Sequence, residues 1–187
     1  MPNHPPAWSA PPAAPLLSPG QVHLWLLPVD PPQPGSLQAL DDPAWLGLLD
    51  PGERSRAGRF RFARDRARFI ARRALLRRIL ALYTGVPPTA LAYAVNPFGK
   101  PHLPDHPALC FNTSHSAGLA LVALARQVEL GVDIEHARPD FDPLPLAERF
   151  FSPAERAALA ALPSSRRQQA FYLCWSRKEA YIKAAGR

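Results

Sequence analysis

Lysine is almost missing from this sequence of 187 residues: only Lys100, Lys178 and Lys183 stand among 22 basic positions, the rest being arginine. In a chain that defaults to arginine, each lysine is a candidate for a specific task. Cysteine is scarce too. Cys110 and Cys174 lie in apolar settings without metal-ligand spacing, which argues for reduced core residues and against a disulfide framework. No run approaches the ~20 apolar residues that span a bilayer, and the first residues offer neither a basic start nor an apolar signal core. The expectation is a cytoplasmic protein with no membrane partner. What the sequence has in excess is proline, 24 residues in all, more than double the ~5% of average usage. Eleven of the 24 fall in the first 34 residues and none lies between Pro51 and Pro87, so the excess marks a leader and loops. A hydrophobic content of 47% excludes a mostly disordered chain.

Residues 1–20 carry no charged side chain and much proline, and read as an extended, poorly ordered leader. Val22, Leu24 and Leu26 alternate as one face of a strand closed by Pro28. Asp50 before Pro51 has the form of an N-cap with proline at the first helical position. From Arg64 to Tyr83, apolar residues at spacings of three and four predict a long amphipathic helix stopped by Gly85. Leu91–Val95 and Leu109–Asn112 read as short strands. The apolar runs Leu119–Ala125 and Val128–Ile134 suggest an antiparallel pair turned at Arg126-Gln127. Ser152, Pro153 and Glu155 have capping-box spacing, and a last helix is expected from Ser164 to about Ala185 with Gly186 as its stop. This order of elements argues for an α+β fold.

Four groups of residues can carry chemistry. In 129–135, strand alternation puts Asp133 and Glu135 on one face, where two like charges repel unless a cation sits between them. Their oxygens suit a hard ion such as Mg²⁺; the plain alternative is a solvated strand end. On the last helix Trp175, Glu179 and Lys183 share a face, so Glu179 either pairs with Lys183 or joins the other two carboxylates while Lys183 neutralises a phosphate oxygen. The run from Asn112 to Ser116 ends a strand in polar side chains that include Ser114 and His115. Lys100 and Pro101 follow Gly99 in a turn, where an ammonium can bind phosphate or be a simple turn charge.

Taken together, the motifs Gly99-Lys100-Pro101, Asn112 to Ser116, Gly131 to Glu135 and Trp175 to Lys183 resemble the 4′-phosphopantetheinyl transferase superfamily, most of all its larger, surfactin-synthetase-activating (Sfp-like) type. The resemblance runs from about Asp50 to Arg187. It implies two pseudo-twofold-related α+β lobes, each a small antiparallel sheet on a long helix, with an N-terminal lobe at 21–126 and a C-terminal lobe at 127–187. It further implies Mg²⁺-dependent transfer of phosphopantetheine from coenzyme A to a serine of an acyl or peptidyl carrier protein, with release of adenosine 3′,5′-bisphosphate. The metal would fall to Asp133, Glu135 and Glu179, with Glu179 also helping to deprotonate the serine and Lys183 stabilising charge on the phosphates. Coenzyme A would meet Lys100, Pro101, Ser114 and His115, with Arg56 and Arg68 at its 3′-phosphate. Glu53 and Phe69 stand where a basic and a small hydroxyl residue are expected, which shifts 3′-phosphate contacts to neighbouring arginines. Relatives continue well past the position of Lys183, so the C-terminal lobe is expected to be truncated here.

The segment from Glu53 to Arg78 holds eleven arginines against two acids, which also fits a non-catalytic module binding nucleic acid or an acidic protein. The aromatics Phe60, Phe62 and Phe69 do not form an interleaved stacking series, and no reader motif occurs. Acidic coenzyme A and an acidic carrier protein account for the +7 charge better, so nucleic acid is not an expected partner. With both lobes in one chain, a monomer is expected.

Overall fold

The computed structural model describes residues 8–10, 12–30, 43–138 and 140–186. Residues 1–7 and 11 of the proline-rich opening therefore lie outside the described residues. Its far end does not behave as a free leader: Leu17 is buried in the main core, and its carbonyl accepts a hydrogen bond from Arg126 Nε at 2.9 Å.

The fold is α+β. Strand β1 (Val22–Pro28) leads into helices α1 (Pro43–Leu48), α2 (Pro51–Gly58) and α3 (Ala63–Thr84). A single 3₁₀ turn (Pro88–Ala90) precedes the short strands β2 (Ala94–Val95) and β3 (Pro101–His102), which pair with each other. Strands β4 (Leu109–Ser116) and β5 (Leu119–Arg126) form a hairpin, and α4 (Leu144–Phe150), α5 (Pro153–Ala161) and α6 (Ser164–Ala184) follow.

The helix signals in the sequence act as expected because they are local. Asp50 caps α2, its carboxylate accepting from Glu53 N while Glu53 reaches back to Asp50 N, which satisfies two otherwise orphaned donors. Ser152 and Glu155 do the same for α5. Gly85 closes α3 at φ 71°, a left-handed conformation in which a side chain would be strained. Along α3, Leu76, Ile79 and Leu80 pack on Leu109, Phe111, Val122 and Leu124 of the sheet to make the core. A second apolar cluster holds α4, α5 and α6 together around Phe151, Leu159 and Phe171.

The sheet differs from the expected pairing. Its order is β1-β5-β4, all antiparallel, so β5 pairs with β4 across a tight turn at Ala117-Gly118 and with β1 on its other side. Both turn residues have positive φ, 44° and 85°, the twist a two-residue hairpin requires. With both edges of β5 occupied, 128–134 cannot pair with it as expected, and that run is not a strand. It lies extended beside β4, held by side chains: Val132 N donates to Asn112 Oδ1 at 3.0 Å and His136 N to Ser116 Oγ at 3.1 Å. Likewise β4 continues past Asn112 to Ser116, and Leu91 to Tyr93 stays outside the short strand β2.

One charged network is internal. Arg77 is fully buried; its Nε donates to Glu53 Oε2 at 2.7 Å, Nη2 to Asp50 Oδ2 at 2.6 Å, and Nη1 to the carbonyls of Pro88 and Leu91. Arg73 also pairs with Glu53. A buried guanidinium is tolerable only when its donors are met in this way. The acid at position 53 is thus a structural partner of α3, and it frees no charge for a ligand.

Candidate functional site

Two cavities stand out, and chemistry separates them. The larger, about 1150 Å³, lies along β1 and α3 between residues such as Trp8, Leu24, Leu82 and Tyr83, and no carboxylate lines it among the described residues. The second, about 630 Å³, is walled by α3 on one side and by β4, the 131–135 segment and α6 on the other. Asp133, Glu135, Glu179, Lys183, Ser114, His115 and Arg56 all line it. Four groups separated by up to 127 positions in the chain meet in this cleft.

The sequence brings them there by three local devices. Strand alternation along β4 directs Asn112, Ser114 and Ser116 to the face on which 131–135 lies. Gly131 lets this segment press onto α6: a Cβ there would run into the backbone of Ala180 and Ala184, so only glycine permits the approach. Helical spacing then presents Glu179 and Lys183, one turn apart, to the same cleft.

At the centre is Asp133, whose side chain is only 4% exposed. Its Oδ1 accepts from Lys183 Nζ at 2.6 Å and from Ser114 Oγ at 2.8 Å. Its Oδ2 is buried with no hydrogen-bond partner among the described residues. Lys183 Nζ also donates to Ser114 Oγ at 3.0 Å and to the Val132 carbonyl at 3.3 Å. Lys183 therefore turns to Asp133 across the cleft, and the expected pairing with Glu179 on its own helix is not made. Glu179 has no hydrogen bond or ion pair among the described residues, and Glu135 is exposed with one long contact from Ser116 Oγ, 3.4 Å.

Asp133, Glu135 and Glu179 thus face one cavity, yet among the described residues no three His, Cys, Asp or Glu side chains are close enough to enclose a metal ion. At Asp133 an ammonium already neutralises the carboxylate. The donor set still fits a divalent cation: oxygen ligands from three carboxylates, one carrying a buried oxygen with no partner.

Positive charge faces these carboxylates. Arg56 stacks over Phe69, its guanidinium 5.4 Å from the ring centroid. Arg72 and Arg73 also line the cleft. Burial, then the neighbouring Arg73, Arg56 and Arg68, push Arg72 down to about 10, which leaves it charged at neutral pH. His115 is open to solvent on one side, but desolvation by the cleft walls, then the charges of Arg72 and Lys183, hold its imidazole down to about 4. It is neutral at pH 7 and poised to gain a proton beside an anion.

Other expected residues stand apart. Arg68 is not in the cleft lining; it forks Asp30, with Nε to Oδ1 at 2.5 Å and Nη2 to Oδ2 at 2.7 Å. Lys100 and Pro101 line a neighbouring pocket of about 360 Å³ with Cys110, Glu129 and the end of α6. There Lys100 Nζ pairs with Glu129 at 2.5 Å and donates to the Ala184 carbonyl at 3.2 Å. Sequence reasoning missed Arg72 and Arg73 as cleft residues. The signal was present in helical spacing, since Phe69, Arg72, Arg73 and Leu76 all line the cavity and share one face of α3.

Comparison with known proteins places this geometry. Residues 129–187 match the family model of the 4′-phosphopantetheinyl transferase superfamily, and residues 42–127 match that of the 4′-phosphopantetheinyl transferase N-terminal region. The chain is 43% identical over 179 residues to the 4′-phosphopantetheinyl transferase HetI of Nostoc sp., covering 94% of this chain and 73% of HetI. It is 35% identical to a putative 4′-phosphopantetheinyl transferase of Synechocystis sp., over 89% of this chain and 65% of that protein. With Sfp of Bacillus subtilis it shares 31% identity over 76% of this chain and 62% of Sfp. It thus spans between three fifths and three quarters of the length of these relatives, and its cleft residues fall inside the matched regions. The chain belongs to the 4′-phosphopantetheinyl transferase superfamily.

Proposed function

We propose that this chain transfers the phosphopantetheine arm of coenzyme A to a serine hydroxyl of an acyl or peptidyl carrier protein. The observation that carries the reading is the single cleft in which Asp133, Glu135, Glu179, Lys183, Ser114 and His115 face Arg56, Arg72 and Arg73. An anionic pyrophosphate needs donors on each oxygen, and this cleft supplies them from both walls. In the reaction the serine oxygen forms a bond to the phosphorus that bears the pantetheine arm. The bond from that phosphorus to the bridging oxygen breaks, and adenosine 3′,5′-bisphosphate leaves with the electron pair. Glu179, unpaired and one turn from Lys183, accepts the serine proton directly or through water. Lys183 and Ser114 bind phosphate oxygens, and His115 with Arg56 and Arg72 holds the remaining phosphate charge. Asp133, Glu135 and Glu179 would hold Mg²⁺, which when bound supplies charge neutralisation at the pyrophosphate.

Two lobes, 21–126 and 127–187, are part of the same reading, and family models that meet between residues 127 and 129 support the boundary. A cytoplasmic monomer belongs to the same reading; no helix among the described residues is long and apolar enough to cross a membrane. Roles for Lys100 and Pro101 at the coenzyme require that Lys100 leave Glu129 when ligand binds.

Incubation with coenzyme A, Mg²⁺ and a panel of apo carrier proteins tests the function by intact-protein mass spectrometry. The expected result is a carrier heavier by one phosphopantetheine, with the gain lost in Glu179→Gln. A panel that gains no mass overturns the reading.

A further inference from the structure

The ammonium of Lys183 is fully engaged before any ligand arrives. Its three protons are directed to Asp133 Oδ1, Ser114 Oγ and the Val132 carbonyl. Asp133 is the most enclosed carboxylate of the cleft, and a buried carboxylate requires an opposite charge. Ser114 donates to the same Oδ1, so this oxygen is occupied twice while Oδ2 has no partner among the described residues. A divalent cation approaching Oδ2 would meet an ammonium 2.6 Å from the other oxygen of the same carboxylate. Two cations held on the two oxygens of one carboxylate in a partly desolvated cleft repel.

We propose that Lys183 is the resting counter-charge of Asp133 and that a divalent cation binds only by displacing it. The side chain is a flexible four-carbon stem, 29% exposed and open to the cleft, so it has space to swing away. Once displaced, the ammonium is available to an anionic ligand in the same cleft. Cation and phosphate ligand therefore reinforce one another's binding, because each stabilises the arrangement the other needs. The lysine serves in sequence as the placeholder for the metal and as the donor to the phosphate.

The inference rests on the metal-holding role proposed for Asp133, but its test uses neither coenzyme A nor a carrier protein. Failure here is thus distinguishable from failure of the transferase reading. Mn²⁺ binding to the protein alone is measured by titration calorimetry and by the loss of free Mn²⁺ signal in electron paramagnetic resonance. Removing the competing charge in Lys183→Gln is expected to tighten Mn²⁺ binding about tenfold, within the usual range for coupled sites. Lys183→Arg keeps the charge and should bind as weakly as the native chain. Asp133→Asn should remove the gain when combined with Lys183→Gln. Melting curves check folding, and Lys183→Met repeats the measurement should the glutamine variant fail to fold. Binding that is unchanged or weaker in both neutral variants overturns the proposal. So does an arginine variant as tight as the neutral ones, a gain that survives Asp133→Asn, or an absence of Mn²⁺ binding throughout.

Discussion

His115 shows how a residue's surroundings set its use. Its folded-state pKa, about 4, lies below the ordinary 6.5 because desolvation and two cations oppose protonation. An unfolded chain therefore binds this proton more readily than the folded one. Stability is fully present above pH 6.5 and is lost as pH falls from there towards 4. The melting temperature should fall over that window and fall less in His115→Gln, as read by circular dichroism at half-unit steps. A bound phosphate reverses the sign, since its charge favours imidazolium. As pH is lowered from 7 to 6, where the 3′-phosphate of coenzyme A itself gains a proton, affinity should fall less in the native chain than in His115→Gln, by calorimetry in two buffers of different ionisation heat. At this scale the sequence was informative about identity and silent about pairing. Asp133, Glu179 and Lys183 were legible as reactive groups from residue type and spacing. That Lys183 chooses Asp133 over Glu179 depends on how closely the 131–135 segment approaches α6, and nothing within one helix reveals it.

Among the elements, α3 carries the most consequential load. Its inner side holds the Asp50–Glu53–Arg77 network and its cleft side holds Arg72 and Arg73. Glu53→Ala would remove the α2 capping partner and leave Arg77 buried with one carboxylate fewer, a change expected to cost about 3–5 kcal/mol. Urea denaturation should show a lower midpoint with little change in slope, whereas Glu53→Gln, which keeps the shape and part of the hydrogen bonding, should lose less. The elements themselves divide by locality. The ends of α2, α3 and α5 were readable because caps, prolines and Gly85 act within a few residues. The sheet was not, since 119–125 and 128–134 are comparably apolar, and which run gains two strand neighbours is decided by β1, nearly a hundred residues upstream. The true hairpin turn was hidden further by Ala117, a residue that gives no turn signal although its φ is positive.

For the whole molecule, the feature to weigh is the junction between the β2–β3 turn and the last helix. Asn96 Nδ2 donates to the Gly186 carbonyl at 3.0 Å, and its Oδ1 accepts from Phe98 N and Lys100 N, so one side chain both shapes the turn and grips the end of α6. Lys100 adds the bond to Ala184 O from the same turn. The helix that presents Glu179 and Lys183 is thereby held at its C-terminal end by a segment outside the main cleft. Asn96→Ala should lower kcat severalfold and weaken coenzyme A binding as well, because it loosens both the position of α6 and the turn that carries Lys100. Measuring the rate of carrier modification at saturating coenzyme A alongside the melting temperature distinguishes a loosened α6 from general destabilisation, which would depress both.

The contact at Gly131 sets a limit on how this chain can vary. With the backbone of Ala180 and Ala184 where a side chain would begin, position 131 admits one residue of twenty, while position 132 beside it already carries the branched side chain of Val132. Any library diversified across 129–135 to retune the cleft will return glycine at this position among its folded, active members. Its tolerance will therefore be set by backbone clearance and not by the chemistry of the carboxylates that flank it.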